Sequence, residues 1–460
     1  MLHGNSVPQS GRGGVSRRSV LKAGFLTCGG LGLAELLRLR SDATEAGAGT
    51  RKTSVIFIEL AGGPSQFETY DPKPDAPLDY RGPLGAIRTN VPGLLFSELM
   101  VEQAKIMDKL AIVRSVHHES SSHGTSKHLI QTGYYKRSSL ARENEMPSIG
   151  SITAKVRGAN AATMPPYVCI PETRSHGNTG YGRPAYLGMA YQPLEIKADP
   201  NDAGFQVKNL ALAPELNLQR LTDRRDLTRS LDVARRVLDS QSVQDSMTRF
   251  SEQAFDIVAG QRARLALDMD REDAQLREQY GRSNFGQNLL LARRLVEAGV
   301  TLVTVRGLYW DRFPKPAGGK PVSWDHHSAL EKTMRLMAPG YDQGVAALVR
   351  DLHERGLDRD VLVVAMGEFG RTPRMNADAG RDHWGDLMSV LFAGGGVQGG
   401  NVIGTSSRYG EFPTDAPCRP ENVLSTMYRH LGIDPSLMFS DPLGRPHHIL
   451  QRQEPIAGLL

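Results

Sequence analysis

The sequence predicts an α/β fold: a doubly wound, mostly parallel sheet flanked by helices, with a helical insertion. Three observations carry this. The chain has 460 residues, 40% apolar and 23% charged, which is globular composition and enough for one large domain or two to three ordinary ones. Six short runs are almost continuously apolar, as parallel strands covered on both faces should be. Amphipathic helical patterns lie between them, which is the alternation of a layered α/β fold.

The apolar runs are Ser54–Leu60, Leu110–Val116, Tyr167–Ile170, Val300–Arg306, Val361–Met366 and Ser389–Gly395. Among the helical patterns, Phe285–Gly299 stops at a glycine before a strand. Pro339–Gly356 carries Val345, Leu348, Val349 and Leu352 on one stripe and stops at Gly356. From about Arg220 to Glu278 the chain is rich in Arg, Asp, Gln and Ser and lacks proline. It is expected to form two or three helices packed on one side of the sheet. The insertion as a whole is placed at about 215–280, within a single domain spanning 49–460.

Residues 1–48 are expected to be an export signal and linker. Arg17 and Arg18 precede a fifteen-residue run, AGFLTCGGLGLAELL, interrupted only by Thr27 and Glu35. That run is short for a bilayer span and fits a signal h-region behind a twin arginine. Val20 stands where Phe is usual, and Ala46-Gly47-Ala48 offers a cleavage site. The alternative is an uncleaved anchor or a basic amphipathic helix. No other segment approaches eighteen apolar residues, so the mature chain is expected to be free of a membrane span, exported folded by the twin-arginine translocase to the periplasm or beyond. The formal charge is +5, but residues 1–48 hold six Arg/Lys and three Asp/Glu, leaving 49 basic against 47 acidic residues. That balance gives no case for a nucleic-acid partner. Cys28 lies in the signal. Cys169 and Cys418 form no framework and are expected to be packing residues.

Open α/β sheets place their sites in the loops beyond the carboxyl ends of strands. Beyond the first strand lie Glu59, the pair Gly62-Gly63, Glu68 and Asp71; the glycine pair would let backbone approach an ion or anion, or form a plain tight loop. Beyond the second, four of the thirteen histidines fall between His117 and His128. There His123 and Lys127 share a face if a helix starts near Ser122, with Ser121 or Ser122 as its cap. After the strand at Val300 come Asp325, His326 and His327. Asp325 and His327 can converge on a metal, and only one of the adjacent histidines should reach it. After Val361–Met366 comes Glu368, a carboxylate that needs a metal or arginine partner if buried, and Arg371, whose planar fork suits an oxyanion. His383 follows. Imidazole with carboxylate suits zinc first, with manganese or iron next; an all-oxygen site would suit calcium or magnesium. Such a centre could act on a phosphoryl or sulfuryl group.

These segments carry a resemblance. GGPSQFETYDPKP, QTG after the histidine cluster, MPSIGS, QYGRSNFGQNLLLARRLVEAGV, WDHH, GEFGRTP, GRDHWGD and AGGGVQGGNVIGTSS together resemble the bacterial domain-of-unknown-function 1501 family. The resemblance runs from about Ser54 to the C-terminus. It implies an alkaline phosphatase/sulfatase-like fold and a metal-dependent site. Asp325 and His327 match its Trp-Asp-x-His element and His383 its late histidine ligand. Glu368 matches the carboxylate where the superfamily has Asp followed by His; Phe369 replaces that His. The first-strand carboxylate is Glu59, or else Glu68 or Asp71; the family commonly has Asp where Glu68 stands. Counting from Gly133 places His123 at the sulfatase nucleophile and Lys127 at its arginine. His123 is then a ligand or nucleophile, or Ser121, Ser122 or Thr125 serves, or the chemistry is lost. The resemblance implies an exported metal-dependent hydrolase of small or polymeric anionic esters; the alternative is a non-catalytic, metal-stabilised binding or structural protein of the cell envelope.

Overall fold

In the computed structural model, residues 52–137, 143–171, 174–175, 178–179, 181–202, 204–205, 260–307 and 323–460 are described. The predicted signal (1–48), insertion residues 215–259 and the loop at 309–311 lie outside them. Eight strands build the central sheet: β1 (Ser54–Glu59), β2 (Leu110–Val116), β3 (Tyr167–Ile170), β4 (Leu194–Glu195), β5 (Leu302–Arg306), β6 (Val361–Met366), β7 (Met388–Gly394) and β8 (Asn401–Ile403). Their order is β8-β2-β7-β6-β1-β5-β3-β4. Neighbours are parallel at β1–β6, β1–β5, β3–β5, β3–β4 and β2–β8, and antiparallel on both sides of β7. One strand therefore runs against the rest. Its first residue, Met388, pairs with Val116 at the end of β2, so the chain just before β7 lies at the carboxyl ends of the parallel strands.

All six predicted runs are strands, and the sheet is mostly parallel between helical layers. The two strands not foreseen, β4 and β8, are short and only half-buried, so they lack a continuous apolar run. β1 shows why the others carry one. Its side chains alternate between faces: Val55 and Phe57 enter one core, Ile56 and Ile58 the other. Helices α1 (His123–Thr132), α2 (Ile149–Val156) and α5 (Pro420–His430) cover the first through Ile130, Ile149, Ile152, Val423 and Met427. Helices α3 (Asn284–Glu297) and α4 (Leu330–Glu354) cover the second through Phe285, Leu289, Met334 and Leu348.

The hydroxyl of Ser283 accepts from Gly286 N at 3.1 Å and caps α3. α4 corrects the expected start at Pro339: it begins at Leu330 and runs through that proline. Burial of Leu330, Met334, Met337 and Tyr341 continues the apolar stripe across the break, and tertiary packing overrides the local cost of the proline. Short helices at Gln261–Leu267 and Ala274–Gln279 are the described part of the insertion; Ala263 and Ala266 join the core of α3. Cys169 and Cys418 are buried free thiols. Among the described residues no helix is long and apolar enough to cross a membrane.

Candidate metal centre at the carboxyl rim of the sheet

The loop leaving β2 is fixed by His118, fully buried. Its Nδ1 accepts from Ser120 N at 3.1 Å, so Nε2 carries the proton and donates to the Glu368 carbonyl at 2.7 Å. α1 then starts at His123 with Ser122 in the cap position, although the Ser122 hydroxyl makes no capping bond. His123 and Lys127 lie one turn apart on one face, and both meet Glu368: His123 Nδ1 at 2.7 Å and Lys127 Nζ at 3.4 Å from Oε1. Gly62, at φ +113°, donates its N–H to Glu368 Oε1 and Oε2 at 2.9 and 3.0 Å. A Cβ there would stand 2.5 Å from the Asp325 nitrogen. The anion that the glycine pair approaches is thus the protein's own Glu368.

Asp325 is the hub. Its Oδ1 lies 3.0 Å from His383 Nε2 and 3.0 Å from His327 Nε2, and its Oδ2 lies 3.2 Å from His123 Nε2. The Nε2 atoms of His327 and His383 are 2.9 Å apart. Behind each ring, Nδ1 faces an acceptor: the Glu368 carboxylate for His123, the Asp382 carboxylate at 2.7 Å for His327, and the Ser121 carbonyl at 2.9 Å for His383. A carbonyl or an ionised carboxylate only accepts, so each Nδ1 carries a proton, and in the neutral form of each ring Nε2 turns a bare lone pair inward. Three bare nitrogens then face a carboxylate. Such a set repels itself unless a proton or cation lies between. With metal–ligand bonds of about 2.0–2.1 Å, neighbouring ligand atoms stand about 3.0–3.4 Å apart, which is the spacing observed. Imidazoles oriented from behind by carboxylate or carbonyl are also the usual second shell of a metal site. These residues fit a divalent ion: the ligand atoms of His123, Asp325 and His383 all lie within 4.8 Å of one another, and His327 stands at the edge of that group, against Asp325 and His383.

Burial would raise the Asp325 pKa, but the contacts with His123, His383 and Arg371 hold it well below the carboxylate range, so Asp325 stays an anion that draws a proton or a cation into the gap. Burial would raise Glu368 too, yet Lys127 and His123 bring it down to about 2. Burial depresses His123, and its contacts with Asp325 and Glu368 outweigh that and shift it upward, toward the imidazolium in which a proton on Nε2 takes the place a cation would fill. His326 turns the other way, into the core, with Nε2 3.2 Å from Met337 Sδ. Burial drops its pKa to about 3.

Several predicted residues stand elsewhere. Glu59 does not join the cluster. It accepts from Gln131 Nε2 at 2.8 Å and faces Arg306 at 3.6 Å, because it shares the strand face of Val55 and Phe57. Glu68 is buried in an ion pair with Arg381 at 2.9 Å, and Asp71 pairs with Lys73 at 3.0 Å. Neither alternative carboxylate reaches the centre. Arg371 reaches it, holding Asp325 Oδ1 at 2.7 Å, but its fork is engaged by backbone. Nε donates to the Gly63 carbonyl, Nη1 to that of Arg381, and Nη2 to those of Gly62 and Trp324. The expectation of a guanidinium free to bind an oxyanion is therefore corrected. Glu368 finds His123, Lys127 and a backbone N–H rather than an arginine. Ser121 enters only through its carbonyl, and among the described residues no hydroxyl of Ser121, Ser122 or Thr125 hydrogen-bonds to the cluster. Phe369 is fully buried, its ring 5.0 Å from that of His123 and 4.4 Å from that of His383; it walls the centre. Asp382, which orients His327, was missed. Its only sequence signal was its place beside His383.

Among solved structures the chain is similar to the PsFucS1 sulfatase from Pseudoalteromonas sp. (13% identity, 87% of this chain and 71% of that one, TM-score 0.38). It is similar to the phosphonate monoester hydrolase SpPMH from Silicibacter pomeroyi (13%, 84% and 74%, TM-score 0.37). A third is a protein in the alkaline phosphatase superfamily from Vibrio parahaemolyticus (8%, 83% and 67%, TM-score 0.37). No curated protein matches the sequence. Residues 52–460 match the model of the family described as Protein of unknown function (DUF1501), and the chain belongs to that family.

Proposed function

We propose that the chain is a metal-dependent hydrolase of phosphate or sulfate esters, small or polymeric, exported in folded form by the twin-arginine translocase to the periplasm or beyond. One observation carries this: His123, His327 and His383 turn bare Nε2 atoms toward Asp325, each fixed from behind through Nδ1. A divalent ion held there would supply Lewis acidity and lower the pKa of a water; this donor set suits zinc first, then manganese or iron, and calcium or magnesium less.

The chain's own groups have separate tasks. Glu368 holds the His123 ring in orientation, and Lys127 balances the Glu368 charge. Arg371 fixes Asp325 against the Gly62-Gly63 loop. Phe369 closes the inner wall against water. His327 and Asp382 are exposed, so the substrate enters from their side. Both His123 nitrogens are engaged, and among the described residues no hydroxyl of Ser121, Ser122 or Thr125 hydrogen-bonds to the cluster, which favours water over a side chain as the attacking group.

The engagement of the Arg371 fork favours a second reading, a metal-stabilised binding or structural protein of the cell envelope. Metal analysis of the purified protein, paired with turnover of aryl phosphate and aryl sulfate, separates the two. Wild type should retain a transition metal and turn over one ester; His383→Ala should lose both. Retained metal without turnover leaves the binding reading. An apo wild type with equal trace turnover in both proteins defeats the enzyme.

A further inference from the structure

We propose that Tyr181 and Lys136 form a recognition point beside the metal centre for an anionic oxygen of a tetrahedral phosphate or sulfate group. The proposal rests on the hydrolase reading and adds to it the residues that hold the substrate's charge. Tyr181 is 2% exposed. Its hydroxyl lies 3.0 Å from Lys136 Nζ. An ammonium only donates, so the phenol oxygen accepts and its own proton is left over. No described residue accepts that proton. Lys136 is half-buried, sits 5.3 Å from the centroid of the Tyr181 ring, and makes no ion pair with any described carboxylate.

Both groups lie against the first turn of α1. A Cβ built on Gly124 would be 3.4 Å from the Tyr181 hydroxyl and 3.8 Å from Lys136 Nζ. Gly124 follows His123, whose Nε2 meets Asp325. The helix is ten residues long and its first-turn N–H groups receive no side-chain cap from Ser122. An ammonium, a buried phenolic proton and the positive end of a helix are thus gathered on the turn of α1 that carries His123, and no described carboxylate pairs with Lys136 or accepts from Tyr181. Among the described residues, that set lacks an anion. A tetrahedral oxyanion held at the centre carries further oxygens, and one directed along α1 would meet this pair.

The test is calorimetric titration of inorganic phosphate and inorganic sulfate into metal-loaded wild type, Tyr181→Phe and Lys136→Gln, with metal content measured for each. Tyr181→Phe keeps the ring volume and Lys136 is only half-buried, so both should fold. The expected result is tight binding of at least one anion by wild type and about tenfold or greater weakening in each variant, as for hydrogen bonds to charged groups, with metal content unchanged. Unchanged affinity in both variants, or no binding of either anion by wild type, overturns the proposal. A wild type that holds no metal but loses anion affinity with Lys136→Gln would instead sink the hydrolase reading and leave the anion point standing.

Discussion

Two polar clusters in this protein contain similar numbers of ionisable groups and have opposite character. Between α3 and α4, Arg293 is 1% exposed and pairs with Glu272 at 2.8 Å, Glu297 at 2.6 Å and Asp351 at 2.9 Å. Tyr280 donates to Asp351 at 2.8 Å, and Arg355 pairs with it at 2.6 Å. Opposite charges meet at every step there, so the network is complete in itself. At the rim, with the histidines neutral, lone pairs face lone pairs across about 3 Å, and among the described residues Arg371, on one oxygen, is the one arginine or lysine touching Asp325. Each holds a fully buried charged side chain, Arg293 in one and Glu368 in the other. What separates a structural network from a site is whether the protein supplies every counter-charge.

The comparison can be broken at three points. Arg293→Ala should cost about 3–5 kcal/mol, because it strands buried carboxylates, and should leave metal content untouched. Urea unfolding measures this; a loss below about 1 kcal/mol would show that the network is no more than decoration. Next, Glu368 has a folded pKa of about 2, below its ordinary 4.5. A depressed carboxyl contributes stability above pH 4.5 and loses it as pH falls toward 2, on the order of 3 kcal/mol in all. The metal-free wild type should therefore lose more stability between pH 5 and 3 than metal-free Glu368→Gln does, and parallel losses would remove Glu368 from the account. The smallest effect should come from Glu368→Gln at neutral pH, which leaves all ligands in place but no longer orients His123 as a carboxylate does. Metal affinity should fall about 10–100-fold, read by chelator competition; complete loss of metal would instead make Glu368 a ligand.

The sheet was legible because its strands are covered on both faces, which forces unbroken apolar runs such as Val361–Met366. Asp325, His327, Glu368 and His383 were singled out because they lie in the segments that follow β5 and β6, and the structure gathers His327 and His383 around Asp325, with Glu368 behind His123. Glu59 misled because it is still inside β1, at the register of Arg306, and strand alternation commits it to the layer under α1. Pro339 misled because a proline reads locally as a boundary while the burial that overrides it is tertiary. The use of Arg371 was illegible for a related reason: the carbonyls that occupy its fork come from Gly62, Gly63, Trp324 and Arg381, and no local pattern reports such distant partners. Tyr181 and Lys136 carry no motif at all. They are 45 residues apart and meet only because both lie against α1.

The reversed direction of β7 has a consequence for how the protein is made. The strand returns antiparallel between β2 and β6, and that return delivers His383 to the same rim as His123, 260 residues earlier in the chain. A nascent polypeptide that has not yet produced β7 lacks the strand that ties β2, and with it His123, to β6, so it cannot close the ring around Asp325. Ion uptake would then act as a timestamp for completed synthesis, and a chain stalled or truncated before Met388 should leave the ribosome unable to load.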